Sequence, residues 1–411
     1  YGLDSEYGFL DVDPPPRETL VDLHPDFAPW ETLLSQLQAF LLVRQLRRHV
    51  ETALPPFPIS ALPPFEHATR AELAAWKRAY LLLAFIAHGY VWSKNEAASR
   101  WLPHVLATPW KRVSTQLGLP PVSTYAASVL WNLHIVDPAQ PWSLDNMGIM
   151  HSFTGMDEAW FYLISAGIEA RGGRAPRLIL EAQQAAARDD GTAVTARLAQ
   201  LADLITALGA MLGRMIESND PHIFYHRTRV YLAGWEGNPR VCTYQTADGV
   251  VRYGRWLKAA GSSAGQSALM QALDVALDVR HYPTRDDTLS FRPDELPLGG
   301  ADAQAMRRYM PGQHRKFLAF LESQTSLRAY VLQRADATAA LVNAYNAAVR
   351  AMTAFRSAHI RMVSAYIIVQ ATRKPPAGRR VQQSLAAKGT GGTKIIPFLK
   401  QARDETQERE I

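Results

Sequence analysis

The strongest structural signal in this chain is a single long stretch, residues 337–371. Its buried-type positions recur at alternating spacings of four and three, at Leu341, Tyr345, Ala348, Met352, Phe355, His359, Met362 and Tyr366. This is the spacing of residues along one face of an α-helix. The stretch therefore predicts a long helix with one buried face, and it places a histidine on that face.

Helical patterns also dominate the chain from Ala68 onward. Thr69 is predicted to cap a helix that runs to about Trp92. Further helices are predicted at 122–134, 157–170, 176–188, 193–217, 265–279, 301–309 and 313–323. Alternating β patterns are scarce, and only 241–253 is typical of a hairpin, with its turn at Asp248-Gly249. The predicted fold class is all-α.

Three segments depart from this helical pattern. Residues 1–66 are rich in proline and repeat the motif ALPPF at 53–57 and 61–65, which predicts an extended wrap rather than long helices. The glycine-rich stretch 389–393 has the backbone freedom to close over a ligand. Residues 401–410 are mostly charged, and we expect them to fray.

Size and composition limit the class of protein. A chain of 411 residues with 47% hydrophobic residues can bury one large core or two moderate ones, and of these we expect two domains. The one cysteine, Cys242, excludes an intramolecular disulfide and fits a reducing compartment. The chain does not start with a signal-peptide pattern and contains no run of 18 apolar residues, so a cytoplasmic location without membrane association is expected.

The formal net charge of +6 raises the possibility of a nucleic-acid partner, but the basic residues are dispersed along the chain. The densest basic group consists of Arg373, Lys374, Arg379 and Arg380. It lies in a Pro/Gly-rich loop without aromatic residues on which bases could stack. We therefore expect no nucleic-acid binding.

From the residues alone, His359 has two interpretations. It is either a hydrogen-bonded core residue or an axial ligand, since haem requires an imidazole on a rigid apolar wall. Arg356, three residues earlier, could meet a haem propionate. Cys242 is the competing axial ligand, but its neighbours do not form a glycine-bracketed thiolate loop, which favours an inert thiol. His134 and His151 are assigned structural roles.

Six sequence blocks carry a resemblance to a known family. They are GYVWSK at 89–94, RVYLAGWEGNP at 229–239, GSSAGQS at 261–267, MRRYMPGQHRKFL at 306–318, FRSAHI at 355–360 and AKGTGGT at 387–393. With these blocks in this order, the chain resembles the indoleamine 2,3-dioxygenase family over nearly its whole length. The resemblance implies a small N-terminal helical domain, residues 1–150, and a large catalytic helical domain, residues 151–411, with haem b held between them.

The resemblance also implies a set of roles. His359 would be the proximal ligand of the haem iron, with Asp274 and Arg356 forming an ion pair near a propionate. Arg229 would pair with the substrate carboxylate, Phe224 would lie against the indole, and Ser165 would be the hydroxyl near oxygen. The remaining pocket positions would be Tyr125, Val129, Phe161, Tyr162, Leu232 and Thr390, with Ser262, Ser263 and Ala264 passing over the haem edge.

The implied reaction is cleavage of the indole C2=C3 bond of L-tryptophan by O2, giving N-formylkynurenine. The implied enzyme is a monomer that needs a separate electron donor to keep its iron ferrous. Ser262, Tyr225 and Ser128 depart from the residues common in the family, so a substituted tryptophan or another indole stays open as the substrate. A non-catalytic haem sensor and a helical interaction module without haem are the alternatives outside enzymes.

Overall fold

A computed structural model of the chain describes residues 2–93, 96–99, 101–235, 243–245, 251–253, 259–282, 303–334, 338–373 and 395–411, with the backbone alone at 243–245, 251–253 and 303–304. Helices make up most of it, which confirms the all-α fold class. The α-helices are α1 Ala28–Ser35, α2 Leu37–Leu42, α3 Leu46–Thr52, α4 Arg70–Trp92, α5 His104–Leu117, α6 Met156–Gly172, α7 Ala175–Ala187, α8 Gly191–Gly213, α9 Pro221–Ile223, α10 Arg229–Leu232, α11 Ala268–Ala276, α12 Ala303–Arg307, α13 Gly312–Glu322, α14 Leu327–Leu332, α15 Ala339–Val363, α16 Val369–Thr372 and α17 Ile395–Gln407.

Shorter helical turns and a few strands connect these helices. The 3-10 turns are Pro25–Phe27, Ile59–Ala61, Arg214–Glu217 and Ala264–Gln266, and the π-helical turns are Ala126–Leu130, Phe224–Thr228 and Ser364–Ile368. The strands are β1 Trp101–Leu102, β2 Leu133–Ile135, β3 Met147–Ile149, β4 Thr243–Gln245 and β5 Val251–Tyr253. Strands β4 and β5 form the predicted antiparallel hairpin, and β1 pairs with β4 in parallel.

The predicted long helix is present as α15, which continues through a π turn into α16. Its first half buries Leu341, Tyr345, Ala348 and Met352. Helix α15 packs mainly on α8, and α8 in turn packs on α6 and α7. Apolar side chains packed between helices in this way stabilise a helix through their burial rather than through intrinsic helix propensity. The helix that carries His359 is therefore held from several sides.

The predicted capped helix is also confirmed. The side chain of Thr69 accepts a hydrogen bond from the Glu72 backbone N–H, and the Glu72 carboxylate accepts one from the Thr69 backbone N–H, which forms a capping box at the start of α4. From Ala79 to Ala87 every residue of α4 is buried. This helix packs against α1 and α5 at the centre of the N-terminal part of the chain.

Two sequence predictions about local structure are wrong in part, and one helix was not predicted. The proline-rich segment contains the short helices α1 to α3 between its extended stretches. The helix predicted at 122–134 reduces to a π turn, because Leu133, His134 and Ile135 pair with β3 as strand β2. Helix α5 was not predicted, although it ends in the left-handed glycine Gly118 that is typical of a helix C-terminus.

The expectation that residues 401–410 fray is also wrong. They belong largely to α17, where Ala402, Glu405 and Thr406 are buried. The last residue, Ile411, accepts a hydrogen bond from the Asn346 side chain at 2.7 Å and donates one back at 2.9 Å. The C-terminus is therefore tied to α15.

By length and composition alone, one described helical stretch, Gly191–Glu217, could cross a membrane. Its apolar positions Val194, Leu198, Leu201 and Ile205 are buried in the protein core. The predicted division into residues 1–150 and 151–411 stays a prediction.

Candidate functional site

A cavity of about 340 Å³ lies among helices α6, α10, α11, α15 and α17. Its walls are mostly apolar, with Phe161, Met352, Phe355, Met362 and Leu399 among the lining side chains. Large apolar pockets with a few polar groups are the usual place for a ligand or cofactor. The polar groups of this cavity therefore indicate what it can bind.

His359 lines this cavity from α15. Burial, together with the nearby Arg356 guanidinium, lowers the pKa of His359 to about 4, so the ring is neutral at physiological pH. The ring makes no hydrogen bond with any residue that the structure describes. A neutral imidazole without a protein partner on an apolar wall can coordinate a metal through a ring nitrogen.

A polar cluster lies one helical turn away from His359. Arg356 donates a hydrogen bond from Nη2 to Asp274 Oδ1 at 2.5 Å and another from Nη1 to the Ala402 carbonyl oxygen at 2.6 Å. His281 approaches Asp274 Oδ2 at 3.1 Å and Glu405 Oε2 at 2.7 Å. The predicted ion pair of Asp274 with Arg356 is thus present at the cavity wall, and two further titratable groups, His281 and Glu405, join it.

The lining of the cavity also includes an aromatic side chain and a cation. Phe224 begins a π-helical turn, and its ring centroid lies 4.8 Å from that of Phe161. Arg229 follows this turn, is 3% exposed and lies with its guanidinium carbon 5.5 Å from the centroid of the Tyr225 ring. Burial lowers the pKa of Arg229, although a guanidinium remains charged at physiological pH. The cavity thus pairs an aromatic surface with a buried positive charge.

The segment 261–267 closes another side of the cavity. It lies so close to helix α10, which begins at Arg229, that a Cβ on Gly261 would be 1.9 Å from the Leu232 carbonyl oxygen. Ser262 lines the cavity, and its hydroxyl lies 2.7 Å from the Ser128 hydroxyl. Only glycine fits at position 261, and Ser262, Ser263 and Ser267 of the same segment all line the cavity.

A buried carboxylate supports the same wall from behind. Glu169 Oε1 accepts hydrogen bonds from the Tyr125 hydroxyl at 3.0 Å and the Ser267 hydroxyl at 2.6 Å. Burial raises the pKa of Glu169 to about 7, against the opposing effect of these two hydrogen bonds. Both Tyr125 and Ser267 line the cavity. Sequence analysis did not identify Glu169, since it is separated by 98 residues from Ser267.

The structure brings most of the predicted site residues together. Those that line the cavity are Tyr125, Phe161, Ser165, Phe224, Arg229, Leu232, Ser262, Ser263, Ala264, Asp274, Arg356 and His359. Thr390 and the alternative ligand Cys242 lie outside the described residues. The roles assigned to the lining residues stay predictions.

Two predicted pocket residues do not line the cavity. Tyr162 is 1% exposed and donates a hydrogen bond to Glu158 at 2.9 Å. Residues four apart share a helix face, so Phe161 and Ser165 face the cavity while Tyr162, one residue further, points away from it. Val129 is likewise 1% exposed and belongs to the core. Their assignment to the pocket wall is corrected to core packing.

Several lining residues were missed by sequence reasoning. The most consequential are His281 and the α17 side chains Ile395, Phe398, Leu399 and Ala402. The apolar spacing 395, 398, 399, 402 is a helical pattern that could have identified the buried face of α17. His281 carries no such local signal, because two of its three partners, Arg356 and Glu405, lie 75 and 124 residues away in the sequence.

Comparison with known proteins shows the family of the chain that carries this site. The family model for indoleamine 2,3-dioxygenase matches residues 1–409. The indoleamine 2,3-dioxygenase of Aspergillus nanangensis is 34% identical over 420 aligned residues, which cover 99% of this chain and 95% of that protein. The chain belongs to the indoleamine 2,3-dioxygenase family. The family inferred from the six sequence blocks is thus confirmed.

Other members show the range of this family. Indoleamine 2,3-dioxygenase 1 of Rattus norvegicus is 32% identical over 99% of this chain and 94% of its own length. The 6-hydroxytryptophan 2,3-dioxygenase of Fusarium equiseti is 31% identical over 99% of this chain and 96% of its own length. Membership in the indoleamine 2,3-dioxygenase family identifies the chain as a haem-dependent dioxygenase type of oxidoreductase.

Proposed function

We propose that this protein opens the indole ring of L-tryptophan at the C2=C3 bond with O2, giving N-formylkynurenine with both oxygen atoms in the product. One observation carries the proposal. A neutral imidazole, His359, and a buried cation, Arg229, line the same apolar cavity. The first suits a haem iron, and the second suits the carboxylate of an amino acid.

The donor set fits haem b. His359 supplies one imidazole, and the described residues contain no group of three or more His, Cys, Asp or Glu side chains that could hold a bare metal ion. Met352, Phe355 and Met362 supply an apolar wall beside the ring. Arg356 supplies a cation of the kind that pairs with propionates. When bound, ferrous haem would supply the centre that activates O2.

The chain's own residues would then bind and orient the substrate. Arg229 would hold the carboxylate through two parallel hydrogen bonds, and Phe224 and Phe161 would hold the indole between aromatic surfaces. Fixing the indole in one orientation raises the effective concentration of the reacting atoms. The surrounding apolar side chains would exclude water from the bound substrate.

The reaction needs no strong base, and the lining agrees with this. Among the lining residues that the structure describes, Asp274 is the one carboxylate, and it is paired with Arg356. Ser165 donates its hydroxyl hydrogen to the Phe161 carbonyl oxygen at 3.1 Å and could offer its lone pairs to a ligand. For Thr390 we keep the proposed role of closing the pocket over the substrate.

A ring-hydroxylated tryptophan is the second candidate substrate. The hydroxyl of Ser262, a lining residue, lies 2.7 Å from the hydroxyl of Ser128, which is not a lining residue. Ser128 can donate to the Thr124 carbonyl oxygen at 3.2 Å, which leaves Ser262 to donate to Ser128 and to accept a hydrogen bond from the cavity. A substrate hydroxyl could donate that bond. A relative named for 6-hydroxytryptophan supports this candidate.

Absorption spectroscopy followed by turnover tests both candidates. Purified protein should show a Soret band, and addition of reductant, substrate and air should produce the formylkynurenine absorption. The substrates compared would be L-tryptophan, D-tryptophan, 5- and 6-hydroxytryptophan, methylated tryptophans and tryptamine. A Soret band without turnover of any of these would indicate a haem sensor, and colourless protein would indicate a helical interaction module.

The surroundings of the reaction are part of the proposal. We propose that the enzyme acts in the cytoplasm as a monomer, with a separate electron donor that keeps the iron ferrous. The single cysteine in 411 residues fits a reducing compartment. Sedimentation of the holoprotein would test the monomeric state.

A further inference from the structure

His281 lies where three helices meet at the cavity. It follows α11, and its side chain is 9% exposed. Its Nδ1 lies 2.7 Å from Glu405 Oε2 on α17, and its Nε2 lies 3.1 Å from Asp274 Oδ2 on α11. The third neighbour is Arg356 on α15, whose guanidinium nitrogens lie 3.3 Å from Nε2. One imidazole thus contacts charged groups from three helices.

The geometry favours the imidazolium form of His281. Both ring nitrogens are nearer to a carboxylate oxygen than to the Arg356 guanidinium, and each can donate a hydrogen bond only if both carry a hydrogen. With His281 charged, two carboxylates face two cations, so the buried cluster is neutral. Burial lowers the pKa of His281, but the hydrogen bond and charge of Asp274 outweigh it, and the pKa lies above its ordinary value.

The residues of this cluster make several of the polar contacts that attach helix α17. Glu405 accepts hydrogen bonds at Oε1 from the Tyr282 backbone N–H at 3.1 Å and from the Gln401 side chain at 2.7 Å. Arg356 holds the Ala402 carbonyl oxygen. The apolar residues of the same helix, Ile395, Phe398 and Leu399, form a wall of the cavity. Whatever holds α17 in place therefore also closes the cavity.

We propose that His281 is a positioning residue that fastens α17 to α11 while it is protonated, so that the cavity stays closed over its cofactor and opens more readily in alkaline solution. Loss of the ring proton would leave two carboxylates with one cation, and at most one of them could keep a hydrogen bond from the ring. The α17 wall would then separate more often from α15. The cofactor part of this inference rests on the proposed function.

The rate of haem transfer from the holoprotein to excess apomyoglobin, measured by absorbance from pH 6 to pH 9, tests the proposal. For the parent we expect the rate to rise with pH. The variant H281Q should lose haem about tenfold faster than the parent at pH 6, since it lacks a charge-assisted hydrogen bond, and its rate should no longer change over this range. E405Q should show the rise at lower pH, because the imidazolium loses one of its two stabilising charges.

Arg350 provides the matched control. It also joins α15 to the C-terminal segment, through Glu410 at 2.9 Å, but its side chain is 66% exposed. An exposed ion pair contributes little to stability, so R350A should lose haem as the parent does. The rates of backbone amide hydrogen exchange at residues 395–407 should rank the four proteins as the haem-loss rates do. Exchange should be faster in H281Q than in the parent and unchanged in R350A.

The outcomes separate the two levels of the proposal. Equal haem-loss rates of H281Q and the parent at pH 6, or the same rise with pH in both, would overturn the role of His281 while leaving the proposed function intact. If no haem binds at all, the proposed function fails, and hydrogen exchange of 395–407 in the haem-free proteins still decides the role of His281. Equal exchange rates of residues 395–407 in all four proteins at each pH would then refute the role of His281.

Discussion

The buried carboxylate of Glu169 lies 3.0 Å from the hydroxyl oxygen of Tyr125, a residue that lines the cavity. This contact links the cavity wall to a group whose pKa burial raises to about 7. A carboxyl group with a raised pKa favours folding while it is protonated. Its contribution is complete below the ordinary pKa of 4.5 and is lost as the pH rises through about 7.

The variant E169Q should therefore be less sensitive to pH than the parent. Glutamine keeps an oxygen that can accept the Tyr125 and Ser267 hydrogen bonds, but it does not ionise. Between pH 4.5 and pH 7 we expect the parent to lose on the order of 2 kcal/mol of unfolding free energy relative to E169Q. Urea unfolding at several pH values measures this difference, and parallel curves for the two proteins would contradict it.

Replacement of Arg229 should impair substrate capture. R229A would leave the substrate carboxylate without its cation in an apolar cavity, at a cost on the order of 2 kcal/mol, and kcat/KM should fall about thirtyfold. R229K should recover part of this loss, because an ammonium keeps the charge but not the planar fork. Exposed Arg227, two residues earlier, is the control, and R227A should match the parent. Equal kcat/KM for R229A and R227A would exclude the carboxylate role.

Removal of the His359 imidazole should abolish tight haem binding. H359A leaves the cavity without a described imidazole other than His281, which its two carboxylates engage. We expect the purified variant to lack the Soret band while keeping the helical circular dichroism of the parent. His104 on α5 lies away from the cavity, and H104A should retain haem. A full Soret band in H359A would remove the ligand assignment.

Substitution of Ser262 separates the two candidate substrates. If a ring hydroxyl donates to the Ser262 oxygen, S262A should lower kcat/KM for the hydroxylated tryptophan about tenfold. Tryptophan itself, which lacks that hydroxyl, should be turned over nearly as before and serves as the internal control. S128A should act in the same direction with a smaller effect, since it removes only the partner of Ser262. Identical effects on both substrates would count against the hydroxyl contact.

We expect substitution by alanine to change the stability of the protein in opposite directions at two glycines. A Cβ on Gly261 would meet the Leu232 carbonyl oxygen at 1.9 Å, so G261A must displace backbone at the cavity wall and should destabilise the protein by several kcal/mol. A Cβ on Gly209, within α8, would have no atom within 4 Å. G209A should stabilise the protein by up to about 1 kcal/mol, because alanine has the higher helix propensity. Thermal melts of both variants measure the contrast.

Much of this architecture follows from periodicity. The spacing of apolar residues predicted α15 and the position of His359 on its inward face, and Thr69 predicted the start of α4. Periodicity works here because a buried helix face must repeat every three or four residues. Family resemblance, rather than periodicity, identified Arg229 as a candidate site residue. No local pattern distinguishes this arginine from the others in the sequence.

The failures share a physical cause. Residues 401–410 looked like a frayed end because their charges are conspicuous, yet Glu405 is buried against His281, 124 residues away. Strand β2 pairs with β3 across a turn without a strong hairpin motif. Tyr162 differs from its cavity-facing neighbour Phe161 only in its direction around α6. Pairings distant in sequence and the rotation of a helix are set by tertiary packing, which local patterns do not contain.

The three π-helical turns found in the described part of the chain have a consequence for how this protein can vary in sequence. Tyr125 directly precedes the first turn, Phe224 begins the second, Arg229 directly follows it, and Tyr366 lies in the third; all four line the cavity. A π turn holds one residue more than an α turn, so deletion of a single residue there would rotate the side chains beyond it by about 100° around the helix axis. Arg229 would then leave the cavity even though its own codon was untouched. Insertions and deletions in these three turns should therefore be as damaging as substitution of the residues that line the cavity.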